Sequence, residues 1–158
     1  MDNQYSVAIT AIIVKDGKYL ITRRSPTKRK FPGVWTVPGG TLESTDYINH
    51  PRDTENAWYN VFERVVMREV KEETGLDIGN LDYLISLVAD YGEAHGVVVS
   101  LMADYRGGEV KLQTEETDDY AWVTLEEAKN YKLIDGIYDE LVMAENKRKG
   151  LKAEWRNV

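Results

Sequence analysis

The sequence predicts an α+β domain in which helices pack against a mixed β-sheet. Segments rich in Val, Ile and Ala alternate with turn signals along most of the chain, which is the pattern of short strands. Two longer segments, one ending at Gly75 and one beginning near Ile137, have the spacing of amphipathic helices. Because the first of these helices precedes most of the later strands, helices and strands are expected to pack in one sandwich.

The chain has the size and composition of a single folded domain. It has 158 residues, of which 42% are hydrophobic and 30% charged, and no change of composition divides it. We therefore expect one domain over residues 1–158. No apolar run approaches the roughly 20 residues that span a bilayer, and Met1 to Gln4 lack the features of a signal peptide, which favours a cytoplasmic location and no membrane contact.

The strands are expected in six segments. The Asp16-Gly17 turn joins the first two segments into a hairpin, and Pro38 to Gly40 are expected to form a turn after the third. Gly92 to Gly96 should join the next two in the same way. The predicted strands cover residues 5–14, 19–22, 34–37, 81–91, 97–105 and 120–123.

Three helices are expected between and after these strands. The longest should run from Ala57 to Thr74, with Gly75 as the left-handed residue that closes it. Thr124 to Glu127 resemble a capping box at the start of a short helix. The last helix should run from Ile137 to about Lys149.

Charge and cysteine content exclude several classes of function. The net charge of -7 argues against a broad or stable nucleic-acid interface, which needs clustered positive charge. The absence of cysteine excludes disulfides, thiolate metal sites and thiol nucleophiles. An anionic substrate would need local help from the basic stretch between Arg23 and Lys30, or from cations held by acidic residues.

Three glutamates near the end of the long predicted helix form the most informative cluster. At about 100° per residue, Glu69, Glu72 and Glu73 lie within an arc of roughly 100° on the helix surface. Carboxylates so close repel one another, and divalent cations that prefer oxygen ligands, such as Mg²⁺ or Mn²⁺, would relieve the repulsion. The alternative is a solvated helix face on which Arg68 and Glu72 pair one turn apart.

Two segments together resemble the signature box of the Nudix hydrolase family. They are Pro38-Gly39-Gly40-Thr41-Leu42-Glu43 and Arg68-Glu69-Val70-Lys71-Glu72-Glu73-Thr74-Gly75-Leu76. The early hairpin, the Trp-x-x-Pro-Gly-Gly sequence before the box and a late Trp-Val-x-Leu-Glu-Glu segment extend the resemblance over roughly residues 5–145. The resemblance implies an α/β/α sandwich and Mg²⁺-dependent hydrolysis, with Mn²⁺ as a substitute, of a diphosphate linkage in a nucleotide.

The chain departs from this pattern within the box. Gly40 and Arg68 are 28 positions apart rather than the family's 14, which leaves a 14-residue insertion at about 47–60. The position of the first box glutamate falls on Asp46 when counted from Gly40 and on Asn60 when counted from Arg68. The insertion is interpreted as a surface excursion, with a substrate lid or a homodimer contact as alternatives. The acids that could compensate are Asp46, Glu43 and Glu55.

The resemblance also implies roles for residues of the box. Glu69, Glu72 and Glu73 would bind the metal ions, the carbonyl of Gly40 would add a ligand, and Arg68 would orient a glutamate by a charge-assisted hydrogen bond.

The general base is expected either within the box or on a later loop. Glu116, six residues before Trp122, is the preferred loop candidate and Glu115 its close rival. The alternative for either residue is a solvated loop acid.

Substrate contacts are predicted outside the box. Arg23 and Arg24 would contact phosphate oxygens, and Trp35 or Tyr91 would stack on a base. The competing interpretation places Trp35 and especially Tyr91 in the core, and leaves the basic run 28–30 solvated. His50 and His95 are isolated in the sequence and are given no role.

The sequence is compatible with several functions. A small nucleotide, most simply a nucleoside triphosphate or a modified one, is the favoured substrate, and dinucleoside polyphosphates, nucleotide sugars and ADP-ribose are alternatives. The chain lacks the Ser-Gln-Pro pattern of NADH-cleaving relatives and has no proline in the 20 residues after Leu76, which weakens the ADP-ribose signature. A non-catalytic ligand sensor and a cysteine-dependent isopentenyl diphosphate isomerase are the remaining alternatives.

Overall fold

The computed structural model describes residues 4–92 and 94–157, and a mixed sheet between helices confirms the predicted α+β sandwich. No helix in the described segments is both long and apolar enough to cross a membrane. The strands are β1 (Ser6–Lys15), β2 (Lys18–Arg24), β3 (Trp35–Thr36), β4 (Gly39–Thr41), β5 (Asp77–Asp90), β6 (His95–Gly107) and β7 (Thr117–Val123). The helices are α1 (Val61–Thr74), α2 (Leu125–Ala128) and α3 (Ile137–Arg148), with 3₁₀ turns at Ser44–Asp46 and Trp155–Asn157.

Strand β1 is the centre of the sheet. It runs parallel to β6 and antiparallel to β2 and β4, so that the main strand order is β3-β2-β1-β6-β5. Strand β7 pairs with β2. The parallel β1–β6 pair is possible because the long connection between them carries α1, which crosses one face of the sheet.

Alternate residues of β1 divide the hydrophobic core into two halves. Ile9 and Ile13 are fully buried in the half that contains α1, whereas Ile12 and Val14 are buried in the half that contains α3. Successive strand residues point to opposite faces of a sheet, so one strand can support two cores. The sheet is therefore covered by helices on both faces.

The long helix begins at Val61 rather than at the predicted Ala57. Asn60 has a left-handed backbone conformation (φ 53°), which interrupts the helical pattern, and Asp53 turns the chain just before it through a bond between its carboxylate and the Tyr59 N–H (2.8 Å). The predicted end is confirmed, because Gly75 closes the helix with φ 78°. The capping box between Thr124 and Glu127 is also present.

The strand boundaries differ most around the turns. Gly39 and Gly40, expected in a turn, lie in the short strand β4, which pairs with β1. Strands β5 and β6 are longer than expected, because their antiparallel ladder extends from the Asp77–Gly107 pair to the Asp90–His95 pair. The predicted 92–96 turn is shorter, and Glu93 within it lies outside the described residues.

The inserted segment 47–60 is held mainly by contacts within itself. The rings of Tyr47 and Trp58 lie 5.0 Å apart, and the Trp58 indole N–H donates to the carbonyl of His50 at 2.8 Å. Arg52 covers the other side of the Trp58 ring at 5.1 Å. A compact loop of this kind has a defined shape without a place in the main core.

Candidate active site

The pairing of β4 with β1 brings Gly40 against the side chain of Glu69 on α1. A Cβ atom built on Gly40 would lie 2.1 Å from the Glu69 Cδ, far inside the van der Waals contact of two non-bonded carbon atoms. Any larger residue here would displace the Glu69 carboxylate, so glycine allows the backbone and this carboxylate to approach each other. This contact joins the two halves of the interrupted box.

Arg68 joins several acids into one cluster. Its Nε donates to the carboxylate of Asp46 at 2.8 Å, and its terminal nitrogens lie 2.9 Å from Glu69 and 3.0 Å from Glu72. The Asp46 side chain is only 4% exposed and also accepts the backbone N–H of Glu43 at 2.7 Å. The expected pair between Arg68 and Glu72 is thus present, as part of a larger network.

Asp46 occupies the position opposite Arg68 where the first acid of the box was expected. It ends the 3₁₀ turn that follows β4, so the count from Gly40 agrees with the geometry. Asn60 instead lies at the N-terminus of α1, and Glu55 is exposed within the inserted loop. The insertion therefore begins directly after Asp46.

Glu73 has hydrogen-bond partners other than Arg68. Its carboxylate accepts the hydroxyl of Thr117 at 2.6 Å and the N–H of Gly39 at 3.3 Å. Burial raises the pKa of Glu73, the two hydrogen bonds lower it, and the charges of Glu69 and Glu116 raise it further.

The electrostatics of the other two glutamates differ. Burial is the largest influence on Glu69 and raises its pKa, although Arg68 opposes the shift and the charges of Glu72 and Asp46 add to it. Glu72 is 53% exposed at its side chain and lies at the rim of the cluster. The three predicted ligands thus span a range from buried to solvated.

Glu116 lies beside this cluster on the loop before β7. Its carboxylate forms an ion pair with Lys28, and it directly precedes the residue that hydrogen-bonds Glu73. Lys28 therefore has a partner in the protein at the surface beside the cluster. Glu115 is exposed, and no ion pair between it and a described residue is present.

The predicted phosphate contacts are engaged within the protein. Arg23 donates to both carboxylate oxygens of Asp118, at 2.8 and 3.2 Å, and its guanidinium lies 5.9 Å from the Trp35 ring centre. Arg24 donates to the carbonyl of Lys30 at 2.9 Å. The two arginines therefore face different surroundings.

The two candidate stacking residues also separate. Trp35 is half-buried against the α3 core and makes an edge contact with Tyr131 at 4.8 Å. Tyr91 is 50% exposed, with Phe31 at 6.0 Å and the Lys30 ammonium 4.5 Å from its ring centre. The expectation that Tyr91 belongs to the core is wrong, because the β5–β6 hairpin extends past the edge of the packed sheet.

The donor chemistry of the cluster fits a divalent cation. Within residues 4–92 and 94–157, no three acidic or histidine side chains converge so as to hold a metal ion by themselves. In this arrangement Glu69 and Glu72 pair with Arg68, and Glu73 accepts the hydroxyl of Thr117. Hard carboxylate oxygens beside the backbone of Gly40 are nevertheless the ligands that Mg²⁺ and Mn²⁺ prefer.

Several of these contacts have no signal in the sequence. Thr117, the Gly39 N–H, Lys28 and Asp118 all bind residues of the site, yet each is distant in sequence from its partner. Only the Gly-Gly pair of β4 carried a hint, because two adjacent glycines often mark a close approach of the backbone.

Comparison with known proteins places this geometry in context. The sequence model of the NUDIX domain family matches residues 2–143 of this chain. The NAD-capped RNA hydrolase NudC of Pseudomonas aeruginosa is 29% identical over 115 residues, which are 73% of this chain and 35% of that protein. The isopentenyl-diphosphate Delta-isomerase of Klebsiella pneumoniae is 30% identical over 117 residues, which are 71% of this chain and 56% of that protein.

Solved structures show the same fold. The MutT protein from Methanosarcina mazei aligns with a TM-score of 0.70 and 25% identity over 94% of this chain and 99% of the other. A NUDIX hydrolase from Alicyclobacillus acidocaldarius aligns with a TM-score of 0.75 and 16% identity, over 98% of this chain and the whole of the other. The latter match supports the fold alone.

Proposed function

The chain belongs to the NUDIX family, and from this we propose that it hydrolyses a diphosphate linkage in a nucleotide-type substrate with the help of a divalent cation. The observation that carries the proposal is the cluster around Arg68, in which Asp46, Glu69 and Glu72 share one guanidinium beside the backbone of Gly40. The chain covers only about a third of the length of the NudC relative, so the activity of that protein is not simply transferred.

Glu69, Glu72, Glu73 and the Gly40 carbonyl are the proposed metal ligands. A bound Mg²⁺ or Mn²⁺ would neutralise these carboxylates and the diphosphate oxygens, so that a phosphorus atom becomes easier to attack. Arg68 contributes by orienting Glu69 and Glu72 through charge-assisted hydrogen bonds.

The proposed reaction is attack by water on phosphorus. A P–O bond forms to the water oxygen, the anhydride P–O bond breaks, and a water proton passes to a carboxylate. Glu116 is the proposed base, because it lies on the loop beside Glu73 and its carboxylate is held by an ion pair with Lys28. Lys28 then also lies close enough to the site to offset negative charge on the substrate.

The favoured substrate is a nucleoside triphosphate, including a modified one. Arg23 and Arg24 are the proposed phosphate contacts, and Trp35 or Tyr91 the proposed stacking residues. The net charge of -7 supports a small nucleotide rather than a nucleic-acid polymer as the partner. A cytoplasmic site of action is part of the same proposal, because a chain without cysteine needs no oxidising compartment.

A second candidate is a dinucleotide such as an NAD-type cap. The similarity to proteins named NAD-capped RNA hydrolase favours it, whereas the absence of the Ser-Gln-Pro pattern weighs against it. The isomerase similarity does not lead to a proposal, because the chain has no cysteine to act as the catalytic group expected of that enzyme.

A substrate panel tests the proposal directly. The purified protein, with excess Mg²⁺, would be incubated with nucleoside triphosphates, dinucleoside polyphosphates, NAD and ADP-ribose, and the products separated by chromatography. We expect cleavage at an anhydride bond and strongest turnover with a triphosphate. Preference for NAD would establish the second candidate, and no cleavage of any anhydride would reject the proposed function.

A further inference from the structure

The loop between β6 and β7, residues 108–116, is docked against the C-terminal end of α1. Lys111 donates its backbone N–H to the carbonyl of Thr74 at 2.8 Å, and Gln113 donates its own to the carbonyl of Glu73 at 3.0 Å. These carbonyls belong to the last turn of the helix, where no further helical N–H follows, so the loop supplies the missing donors. The loop and the helix end are therefore joined by main-chain hydrogen bonds.

The two backbones approach each other closely at a pair of glycines. A Cβ atom built on Gly108 would lie 2.6 Å from the carbonyl oxygen of Gly75, and one built on Gly75 would lie 2.9 Å from the carbonyl oxygen of Glu109. Both separations are inside van der Waals contact, so a larger residue at either position would force the loop away from the helix. This contact fixes the first half of the loop on α1.

The second half of the loop is joined to α1 by one side chain. Thr117, the first residue of β7, is buried and donates its hydroxyl to one oxygen of the Glu73 carboxylate at 2.6 Å. The other oxygen of that carboxylate accepts the N–H of Gly39 at 3.3 Å. A carboxylate has about four lone-pair sites, so these two bonds leave acceptor sites for a cation. Glu73 therefore connects α1 to both β4 and β7.

The residue before Thr117 is Glu116, the proposed base. Consecutive Cα atoms are about 3.8 Å apart, so a bond that holds Thr117 against Glu73 also limits where Glu116 can lie. The carbonyl of Glu116 accepts the N–H of Ser25 at 2.9 Å, and its side chain pairs with Lys28. These two contacts hold Glu116 to the segment after β2. Of the hydrogen bonds that Glu116 and Thr117 form with described residues, only that of the Thr117 hydroxyl reaches α1.

We propose that Thr117 is a positioning residue, whose hydroxyl holds the loop that carries Glu116 against Glu73 and thereby fixes the base relative to the metal ligands. The inference rests on the proposed function, because it assigns no chemistry to Thr117 itself. Outer partners that orient ligands in this way typically contribute roughly 10- to 100-fold to activity. Loss of the hydroxyl should therefore slow the chemical step rather than weaken substrate binding.

Steady-state kinetics of matched variants test this inference. Thr117→Val keeps the size and branching of the side chain but removes the hydroxyl, so we expect kcat to fall about 10-fold while KM changes less than about threefold. Thr117→Ser keeps the hydroxyl and should retain kcat within about threefold. Thr117→Ala replaces the valine variant if that variant fails to fold. Equal losses in the valine and serine variants would show that Thr117 contributes only packing and would overturn the inference.

Thr22→Val is the matched control for removal of a buried hydroxyl. Thr22 is also buried, on the neighbouring strand β2, and its hydroxyl has no hydrogen-bond partner among the described residues. We expect kcat of this variant to change less than about twofold. A loss as large as that of Thr117→Val would show a general effect of the substitution and would overturn the inference.

A double variant tests whether Thr117 acts through Glu116. Glu116→Gln removes the proposed base, so the addition of Thr117→Val should lower kcat further by less than about threefold. Losses that multiply would show that Thr117 acts independently of Glu116 and would overturn the inference. Unaltered kcat in Glu116→Gln alone would also overturn it, whereas the proposed hydrolysis would stand.

Amide hydrogen exchange separates this inference from the proposed function, because it needs no turnover. Thr117→Val should raise the exchange rates of the Lys111 and Gln113 amides about 10-fold, since their bonds to α1 would open more often. Thr22→Val should leave both rates unchanged. Faster exchange in a protein that cleaves no anhydride would support the hold of Thr117 on the loop and reject the hydrolase. Unchanged exchange in Thr117→Val, in a protein that is an active hydrolase, would overturn the inference.

Discussion

Arg68 sets the electrostatic balance of the glutamate cluster. One guanidinium contacts three carboxylates, those of Asp46, Glu69 and Glu72, and a fourth, Glu73, lies nearby and forms no ion pair with a lysine or arginine of the described residues. A single positive charge cannot neutralise four acids, so the cluster keeps an excess of negative charge. The proposed divalent cation would compensate this excess negative charge. Mutation of the acids that bind the cation should therefore lower turnover far more than mutation of an ordinary surface acid.

The first prediction distinguishes ligands from other acids on α1. Glu72→Gln and Glu73→Gln keep the size of the side chain but remove its charge, so each should lower turnover by about 10²-fold or more, roughly 3 kcal/mol. Glu63→Gln, on the same helix but outside the cluster, should change turnover less than about threefold. Steady-state kinetics with Mg²⁺ measure this. Three equal effects would mean that the cluster is only a solvated face.

The second prediction concerns Glu140 and the free energy of unfolding. Burial, with a smaller contribution from Asp139, raises the pKa of Glu140 in the folded protein, although the Ser100 hydroxyl opposes it. The folded state therefore binds the proton more tightly than the unfolded state. This stabilisation is complete below the ordinary glutamate pKa and is lost as the pH rises through the raised value.

Glu140→Gln should remove this pH-dependent loss of folding stability. We expect the variant to be more stable than the unaltered protein near neutral pH, by about 1 kcal/mol, and to have no such advantage at about pH 4. Urea unfolding followed by fluorescence measures the difference, with Glu145→Gln as the control on α3. An advantage that is constant across the pH range would contradict the titration of Glu140.

At the scale of elements, the 3₁₀ turn after β4 fixes the start of the box relative to α1. Asp46 in this turn accepts the Glu43 N–H and the Arg68 guanidinium, and the inserted loop follows directly. The chain can therefore form a 14-residue loop between Asp46 and Val61 without disturbing the contact between Gly40 and Glu69. The insertion is tolerated because both of its ends are anchored by local hydrogen bonds.

The third prediction tests that anchor. Asp46→Asn keeps one acceptor oxygen but loses the charge, so it should cost about 1 kcal/mol of stability and, through a less fixed Arg68, lower kcat/KM roughly 10-fold or more. Glu55→Gln, the rival acid in the inserted loop, should leave stability nearly unchanged and should change kcat/KM less than about twofold. Thermal unfolding and steady-state kinetics check the pair. A larger effect from Glu55 would show that the loop supplies the missing acid.

At the scale of the whole molecule, the sheet separates two cores that support different polar residues. The α1 core positions the glutamate cluster, and the α3 core positions Glu140. Because β1 contributes to both, a cation bound at the cluster should stabilise the domain as a unit.

The fourth prediction is that a divalent cation affects both activity and stability. Chelation should abolish turnover, and Mg²⁺ or Mn²⁺ should restore it. At about 100 times its dissociation constant, the cation should add roughly 2.7 kcal/mol to the folded state and raise Tm by several degrees. The same ionic strength of a monovalent salt is the control, and the Glu72→Gln/Glu73→Gln double variant should lose the shift. Full activity in excess EDTA would rule out the mechanism.

Local features of this protein were determined by contiguous residues. The Asp16-Gly17 hairpin, the end of α1 at Gly75 and the Thr124–Glu127 capping box are each set by the conformational preferences and hydrogen bonds of a few neighbours, so the sequence alone predicts them. The box glutamates were identified in the same way, because their helical spacing is a local property.

Contacts between distant segments were decided only by the tertiary structure. The choice of Asp46 over Asn60 as the partner of Arg68, the place of Gly39 in a strand and the exposure of Tyr91 depend on how β4, α1 and the β5–β6 hairpin pack. Glu140 is the clearest case. The sequence would predict that an acid on an amphipathic helix is solvated, whereas in the structure Glu140 is buried against the sheet and bonded to Ser100. Sequence periodicity specifies which face of an element is apolar, whereas the partner of each polar side chain depends on the packing of the whole chain.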